Sequence, residues 1–279
     1  MSYKTILVHA DTSPHAEARI KLAANLAFSC GSHLVGAAMT GLSRFVYPDP
    51  SMPAAVDLIS SQVDTLNERA DAAIALFDAV AERTGLQTFE HRKLDDEADS
   101  AMALQARYAD LVVVSQTDPD EPSSRAISAL PEYVMLNSPR PVLVVPYTNP
   151  PADIDRHVLI GWNGSPEATR AITAAIPLLR RARKATVAIF NADEHYGLHG
   201  DLPGADVATW IARHGVKVDV TSQRTTLDVG NALLSMAADM DCDMLVIGGY
   251  GRPRYRELLL GGVTRTVLET MTVPVMMAH

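Results

Sequence analysis

The chain has 279 residues, of which 47% are hydrophobic and 20% are charged, so it has enough apolar material for a folded core and is not of the disordered class. No apolar run approaches the roughly 18 residues of a membrane helix, so we expect no membrane partner. The net charge of −9 argues against a nucleic-acid partner, which needs a basic face. Two cysteines are too few for a disulfide framework, and the N-terminus lacks a signal-peptide pattern, so we predict a cytoplasmic protein.

The predicted elements alternate between strands and helices along the whole chain. Short runs of Val, Ile and Leu are typical of strands buried on both faces. They predict strands at residues 4–10, 33–39, 87–94, 110–115, 141–146, 157–162, 185–191, 216–223, 243–248 and 273–278. Helical spacing predicts helices at residues 14–29, 56–84, 96–108, 126–137, 166–182, 203–214, 228–240 and 262–271.

The two halves of the chain are copies of one another. The segments TILVHAD and HVLIGWN each run into a Ser-Pro pair, at Ser13 and Ser165, which are 152 positions apart. Serine at the N-cap and proline at the first helical position predict a helix start at both places. Later segments, such as DLVVV and DMLVI, are 133 positions apart, so the first copy has 19 additional residues, which we place within Thr40–Gln62.

This pattern predicts an α/β protein made of two tandem five-stranded parallel sheets, each covered by helices on both faces. The first domain covers residues 1–148, a linker with two adjacent prolines covers residues 149–155, and the second domain covers residues 156–279. Residues 1–148 carry a net charge of −8, and residues 149–279 carry a net charge of −1. The second domain is therefore better suited to hold a small anion.

A glycine-rich segment, GGYGRPRYRELLLGGVT, follows a buried strand and begins a helix in the second domain. Its glycines are Gly248, Gly249, Gly251, Gly261 and Gly262. Glycine at a strand end allows a sharp turn and the close approach of a ligand. The helix start offers unpaired N–H groups that favour a phosphate. Ligands of open parallel sheets lie beyond the carboxyl ends of the strands, where this segment falls.

The spacing G-x2-G-x9-G followed by a small residue resembles the nucleotide-binding signature of universal stress proteins, and the tandem repeat fits this family over the whole chain. The resemblance implies a Rossmann-like sandwich related to the adenine nucleotide alpha hydrolases. It also implies a bound ATP, ADP or AMP in a stress-response protein, and it leaves Mg²⁺ open.

The resemblance also implies which residues would hold the nucleotide. The backbone of Gly248, Gly251, Gly261, Gly262 and Val263 would surround the ribose and phosphates, with Thr264 supplying the hydroxyl that the family usually has one step earlier. Further expected contacts are Ile247 and Asn191 at the base, Gly161 at the pocket wall and Asn163 where the family usually has Asp. Apart from the resemblance, Arg252 is chemically suited to bind a phosphate, with a solvated helix face as the alternative.

The first copy lacks this glycine loop. The positions of the glycines are taken by Ser115, Asp118, Ser128 and Ala129, and that of Thr264 by Pro131, while Asp11 is retained. Negative charge in a confined site disfavours an anion, so we predict one nucleotide site per chain, within residues 155–279. The first domain is then a structural or regulatory partner. It would pair residues 141–146 with residues 273–278 as an internal pseudo-dimer, and a homodimer and an unknown protein partner remain open.

The sequence supports binding better than catalysis. It has no GxSxG elbow and no P-loop lysine, and Asn163 cannot act as a general base. We therefore expect a nucleotide sensor, with a slow ATP hydrolase or a nucleotide-free scaffold for a protein or apolar ligand as alternatives. The pair His195 and His199 has no obvious further metal ligands, so we expect no metal site there. Cys242 lies between two aspartates, which opposes an activated thiolate.

Overall fold

The computed structural model describes residues 2–41, 53–121, 130–194, 202–251 and 262–279, with the backbone alone for residues 53–62 and 194. Four of the sequence predictions fall outside these residues: the Pro48–Pro50 part of the insertion, Ser128 with Ala129, the His195–His199 pair, and Arg252 with Gly261. Among the described helices, none is both long and apolar enough to cross a membrane.

Ten strands and eight α-helices alternate in the described residues, as the sequence predicts, and most bounds agree within two residues. The strands are β1 (Thr5–Ala10), β2 (His33–Met39), β3 (Phe89–Leu94), β4 (Leu111–Ser115), β5 (Val142–Val145), β6 (His157–Gly161), β7 (Lys184–Phe190), β8 (Val218–Gln223), β9 (Met244–Gly248) and β10 (Val275–Ala278). The helices are α1 (Ala16–Cys30), α2 (Pro53–Thr84), α3 (Ala98–Gln105), α4 (Leu130–Asn137), α5 (Pro166–Leu179), α6 (Ala205–Arg213), α7 (Val229–Asp239) and α8 (Val263–Thr270).

The strands form one sheet in the order β3-β2-β1-β4-β5-β10-β9-β6-β7-β8. Each copy contributes five parallel strands with the same internal order, and the predicted contact between the last strands of the copies is present. There β5 and β10 run antiparallel, with Val144 opposite Val275 and Val142 opposite Met277. The two halves therefore form a continuous sheet about a pseudo-twofold axis.

Hydrophobic side chains cover both faces of this sheet. Alternate residues of β1 point to opposite sides, so Ile6 and Val8 belong to one buried cluster and Leu7 to the other. Helices α1, α2, α5 and α6 supply the first cluster, and α3, α4, α7 and α8 supply the second. Because both faces are buried, the strands are nearly continuous runs of Val, Ile, Leu and Ala, which is why the sequence predicts them well.

The two copies also contact each other through polar groups on both faces of the sheet. Tyr3 Oη donates to the carbonyl of Ala174 on α5 at 2.7 Å. The buried amide of Gln116, which follows β4, donates to the carbonyls of Leu268 and Glu269 at the end of α8 at 2.9 and 3.2 Å. These contacts connect the first copy to two helices of the second, α5 and α8.

Two local predictions need correction or refinement. Ser13 is not an N-cap: α1 begins at Ala16 with His15 at its N-cap position, because the Ser13 hydroxyl donates instead to Asp11 Oδ1 at 2.7 Å. Ser165 does cap α5, as predicted, and accepts from the N–H of Ala168 at 3.1 Å. The additional length of the first copy includes part of α2, which has 32 residues against nine in α6.

Candidate functional site

The carboxyl ends of β6 and β9 define the candidate site of the second copy. These strands are adjacent and parallel. The strand order reverses at this point, since β7 and β8 lie on one side and β10 on the other. Such a switch point leaves a crevice outside the strand ends, which is where ligands of open α/β sheets bind. The predicted residues Gly161 and Gly248 end the two strands.

Both strand-end glycines are required by close packing. A Cβ atom on Gly248 would lie 2.5 Å from the backbone nitrogen of Ala168, in the first turn of α5. A Cβ atom on Gly161 would lie 2.9 Å from Ile247 Cγ2 and 3.2 Å from Leu233 Cδ1. Ile247 is itself buried in the core. The geometry therefore gives Gly161 and Ile247 packing roles beneath the crevice, and brings the end of β9 directly against the start of a helix.

The loop after β9 is attached to the start of α8. Tyr250 has a positive φ of 48°, and its N–H donates to the hydroxyl of buried Thr264 at 3.1 Å. Thr264 thus holds the loop backbone, which is a different use of its hydroxyl from the predicted phosphate contact. Gly262 occupies the N-cap of α8 and Val263 begins the helix. The first N–H groups of an α-helix have no partner within the helix, so this end of α8 can donate to an anion.

One residue at this edge, Glu167, was not predicted. Its side chain is 14% exposed, and its carboxylate lies 2.9 Å from the position that a Cβ on Gly251 would take. Arg170 donates to the other carboxylate oxygen at 2.8 Å. Glutamate in a first helical turn is an ordinary feature that stabilises the helix dipole. Sequence spacing alone could not show that it faces the loop.

The two predicted asparagines form hydrogen bonds to nearby backbone. Asn163 Oδ1 accepts the N–H of Ser165 at 3.1 Å, which shapes the turn into α5. Asn191 has a φ of 54°, and its amide both accepts from the N–H of Thr225 at 2.9 Å and donates to its carbonyl at 3.2 Å. These bonds fix the ends of β7 and β8, so the geometry assigns Asn191 a positioning role.

The corresponding edge of the first copy is built differently. Arg19 on α1, with 1% of its side chain exposed, takes the place of buried Ala171 in the second copy. Its guanidinium donates to the His9 carbonyl at 2.8 Å, to Ser115 Oγ at 2.6 Å and to Asp11 Oδ1 at 2.9 Å. The retained acidic residue is therefore neutralised by a buried cation.

In the first copy, a hydrogen bond between two side chains lies where Glu167 faces Gly251 in the second copy. His15 corresponds to Glu167 and Asp118 to Gly251. The His15 Nε2 atom lies 2.8 Å from Asp118 Oδ2. Both copies thus bring the first turn of a helix against the loop after the fourth strand, but only the second has a glycine there.

Comparison with known proteins identifies the family. The sequence profile described as the Universal stress protein family matches residues 2–146 and again residues 156–279. The chain belongs to the universal stress protein family. It is a tandem member with two complete copies of the domain, and a search of curated proteins finds no match.

Solved universal stress proteins share its fold. The structure of one from Archaeoglobus fulgidus DSM 4304 covers 98% of this chain and 94% of its own, at 15% identity and a TM-score of 0.72. A putative universal stress protein from Pseudomonas aeruginosa UCBPP-PA14 covers 98% and 92%, at 17% identity and a TM-score of 0.58. One from Archaeoglobus fulgidus in complex with dAMP covers 52% and 98%, at 17% identity and a TM-score of 0.35.

Two ionisable side chains in the first copy of this universal stress protein have shifted pKa values. The pKa of His9 is lowered from 6.5 to about 4, mainly by burial; Asp11 acts in the opposite direction, and Arg19 contributes to the lowering. For Asp11, burial favours a higher pKa, but Arg19, His9 and the Ser13 hydrogen bond together hold it well below the usual range. At neutral pH the His9 imidazole is therefore neutral and the Asp11 carboxylate is charged.

The lowered pKa of His9 predicts that stability falls in mild acid. Because the pKa of His9 is lowered on folding, its contribution to the free energy of unfolding is complete above about pH 6.5. Below that pH the contribution decreases, because His9 becomes protonated in the unfolded state while it stays neutral in the folded state. A tenfold change in proton affinity corresponds to about 1.4 kcal/mol, so lowering the pH from 7 to 4.5 should remove about 2–3 kcal/mol through this group. Urea unfolding of the wild type and His9→Gln at both pH values measures it. Equal losses in the two proteins contradict the assignment.

The Cys242 thiol and the possibility of a metal cluster concern the other groups that the sequence singles out. Burial raises the pKa of the Cys242 thiol to about 11, with Asp243 and Asp241 adding to the effect, so the predicted lack of an activated thiolate agrees with the geometry. Within the described ranges, no three His, Cys, Asp or Glu side chains are placed to hold a metal ion.

Proposed function

We propose that the second copy binds an adenine nucleotide, ATP, ADP or AMP, with its phosphates between the loop after β9 and the start of α8. The protein would use this nucleotide as a sensor in a stress response, in the cytoplasm. The ligand class comes from the family resemblance. The observation that carries the location is the direct packing of Gly248 against the first turn of α5, beside the N-terminus of α8, at the switch point of the sheet.

The described backbone fits phosphates. The turn at Tyr250 has a left-handed conformation, and the N-cap of α8 is a glycine without a side-chain cap. A phosphate here would meet main-chain N–H groups that need no induced rearrangement. Asn163 adds no charge, so the site offers weak support for Mg²⁺, and we expect binding of the nucleotide without the metal.

The first copy does not compete for the nucleotide. Asp118 stands at the position of Gly251, and the Arg19 guanidinium is buried and already bonded to Asp11 and Ser115. A phosphate would have to displace one of these bonds while approaching a carboxylate, which is unfavourable at short range. We therefore infer one nucleotide per chain.

The proposed sensing role is supported by a contact of the loop with the first copy. A Cβ atom on Gly249 would collide with the Met135 sulfur of α4. Gln116 donates to the C-terminal end of α8, and the N-terminal end of the same helix would border the phosphates. A nucleotide bound beside Gly249 and the start of α8 would therefore act next to the surface where the two copies meet.

The nucleotide content of freshly purified protein tests the proposal. Acid extraction and chromatography should yield about one adenine nucleotide per chain, or addition of ATP to stripped protein should raise the melting temperature, since a ligand that binds only the folded state stabilises it. An empty protein whose melting temperature does not respond to millimolar ATP, ADP or AMP contradicts the proposal and favours the nucleotide-free scaffold.

The carboxylate of Glu167 should limit affinity for the triphosphate. It lies beside Gly251, so a polyphosphate on this loop would approach a negative charge. We expect Glu167→Gln to tighten ATP binding by about three- to tenfold and AMP binding by less, which corresponds to about 1 kcal/mol for one charge at partly exposed sites. Titration calorimetry measures both ligands.

Glu269→Gln provides the matched control, because Glu269 is an exposed carboxylate paired with Arg265 near the opposite end of α8. Its effect should be below about twofold. An unchanged ATP affinity in Glu167→Gln, or an equal gain in affinity in the control, would contradict the proposal that the phosphates lie beside Gly251.

A further inference from the structure

Strand β8 forms one edge of the ten-stranded sheet, and β3 forms the other. The carbonyl of Lys217, just before β8, accepts from the Ala185 N–H of β7 at 3.0 Å, and the two strands pair in parallel from there. The backbone groups of successive residues in a strand point alternately to the two sides. Those of Val218, Val220 and Ser222 therefore point away from the sheet.

The outward side of β8 is open. Within the parts of the chain that the structure describes, no group forms a hydrogen bond to these outward backbone groups. The side chain of Val220, in the middle of the strand, is 40% exposed, and most of the strand is exposed as well. A row of unpaired N–H and C=O groups is a template on which another extended chain can add as a strand.

The opposite edge of the sheet is protected by charge. Strand β3 contains four successive charged or ionisable residues, from Glu90 to Lys93. Lys93 Nζ lies 2.7 Å from Asp71 on α2, and His91 Nδ1 lies 3.1 Å from Asp78 on the same helix. Charged side chains on an edge strand are a common protection against pairing. Helix α6 has nine residues and, among the described groups, forms no ion pair with β8.

Positive charge surrounds the start of β8. Arg213 ends α6 and Lys217 precedes the strand; both are exposed, and neither has an ion-pair partner among the described residues. Lys184, at the start of β7, pairs with Asp219 of β8 at 3.1 Å. The first copy has Thr88 where the second has Lys217, since each carbonyl accepts from the neighbouring strand, so the fold does not require this lysine. An approaching chain with carboxylates is therefore attracted to this end of the edge.

The two features together select an acidic peptide over other polyanions. A nucleic acid or a polyphosphate carries negative charge, but it has no alternating N–H and C=O groups to pair with an open strand. An extended peptide has both when it contains aspartate or glutamate. The net charge of −9 also opposes the approach of a long polyanion.

We propose that β8 binds an extended acidic peptide segment of a partner protein, which adds to the sheet as an eleventh strand. The backbone of the segment pairs with Val218, Val220 and Ser222, and its carboxylates lie beside Lys217 and Arg213. This surface is independent of the proposed nucleotide site, because β7 and β6 separate β8 from β9. It gives a chemical identity to the protein partner that the sequence leaves open.

Titration of the full chain with three synthetic peptides tests the proposal. The acidic probe is acetyl-Glu-Asp-Val-Thr-Val-Thr-Asp-Glu-amide, whose two acidic ends suit either strand direction. The second probe has lysine in place of every acidic residue, and the third is the acidic probe with N-methyl groups on its four central residues, which block strand pairing. We expect saturable binding of the acidic probe and at least about tenfold weaker binding of the other two.

Amide hydrogen exchange, measured by NMR, reports the place of binding. The acidic probe should slow exchange at Val218, Val220 and Ser222. It should leave Asp219 and Thr221 unchanged, because their N–H groups already face β7. Absence of saturable binding overturns the proposal, as does exchange that slows equally at all five residues. Equal binding of the N-methylated probe indicates electrostatic attraction only, and tighter binding of a thymidine octanucleotide indicates a nucleic-acid surface; either result also overturns it.

Substitutions locate the contact. Val220→Pro removes an outward N–H and leaves the bonds to β7 in place, since proline is tolerated on an edge strand where the N–H faces solvent; it should weaken binding of the acidic probe by at least about tenfold. Lys217→Gln should weaken it by about threefold, and this surface variant keeps the test valid if the proline variant does not fold. Lys93→Gln, on the edge strand of the first copy, is the matched control and should bind as the wild type does. An unchanged affinity in Lys217→Gln overturns the proposal, and so does an equal loss in the control.

Discussion

Gly251→Asp is expected to weaken adenine nucleotide binding by at least about 100-fold while the protein remains folded. A Cβ atom at this position already lies 2.9 Å from a carboxylate oxygen of Glu167, so the new side chain would add a second carboxylate beside the first. Two negative charges at the place where phosphates would pass oppose a polyanion by several kcal/mol at short range. The first copy naturally contains this substitution, as Asp118. Titration calorimetry with ATP and ADP measures the loss.

Gly251→Asn is the control that separates charge from size. The two side chains have the same shape, so steric effects on the loop are shared, and only the aspartate introduces a charge. We expect the asparagine variant to lose less than about tenfold in affinity. Equal nucleotide affinities in the wild type and Gly251→Asp, at unchanged melting temperature, would contradict the proposal that the phosphates bind at this loop.

Asp11→Asn is expected to destabilise the protein by about 2–3 kcal/mol, which is below the range for fully buried ion pairs because Arg19 is buried but the Asp11 side chain is 31% exposed. Arg19 cannot be deprotonated and is 1% exposed, so without the carboxylate its charge stays in the interior with neutral acceptors alone, namely the His9 carbonyl, Ser115 and the introduced amide oxygen. Urea unfolding at pH 7 measures the change in the free energy of unfolding.

The second copy provides the matched controls for this substitution. Asn163 occupies the same position without a buried arginine, so Asn163→Asp should change the free energy of unfolding by less than about 0.5 kcal/mol. The double variant Asp11→Asn with Arg19→Met replaces the ion pair by a mostly apolar arrangement and should recover most of the loss. A single variant as stable as the wild type, or a double variant no better than the single, contradicts the assigned pair.

Fold elements were predictable because packing on both faces of the sheet leaves a strong pattern in the sequence. Buried strands such as β4 and β9 are runs of branched apolar residues, and the repeat at two spacings gave independent evidence for each element. The start of α1 was not predictable from Ser13 and Pro14. A cap pattern describes local hydrogen bonds only. Here Arg19 donates to Asp11, and Asp11 in turn accepts from the Ser13 hydroxyl, so that the serine bonds to the carboxylate and does not cap the helix.

The sequence located the strand ends at which the candidate site lies, but not the contacts made there. Glycine spacing indicates where the backbone must approach something closely, and Gly248 does lie directly against α5. It cannot say whether the neighbour is a ligand or protein: at Gly161, which the resemblance places at the pocket wall, the neighbours in the structure are Ile247 and Leu233. Arg19 and Glu167 lie on helices where charged residues are ordinarily solvated, so their inward positions appear only when the tertiary structure brings strand ends and helix starts together.

Photoaffinity labelling with 8-azido-ATP, followed by identification of the labelled peptides, is the sharpest test of the proposed site, because it reports which copy holds the nucleotide. We expect labelled peptides within residues 156–279, protection by unlabelled ATP, and loss of the label in Gly251→Asp. Protected labelling within residues 1–148, or labelling of Gly251→Asp at the level of the wild type, would contradict a nucleotide site in the second copy.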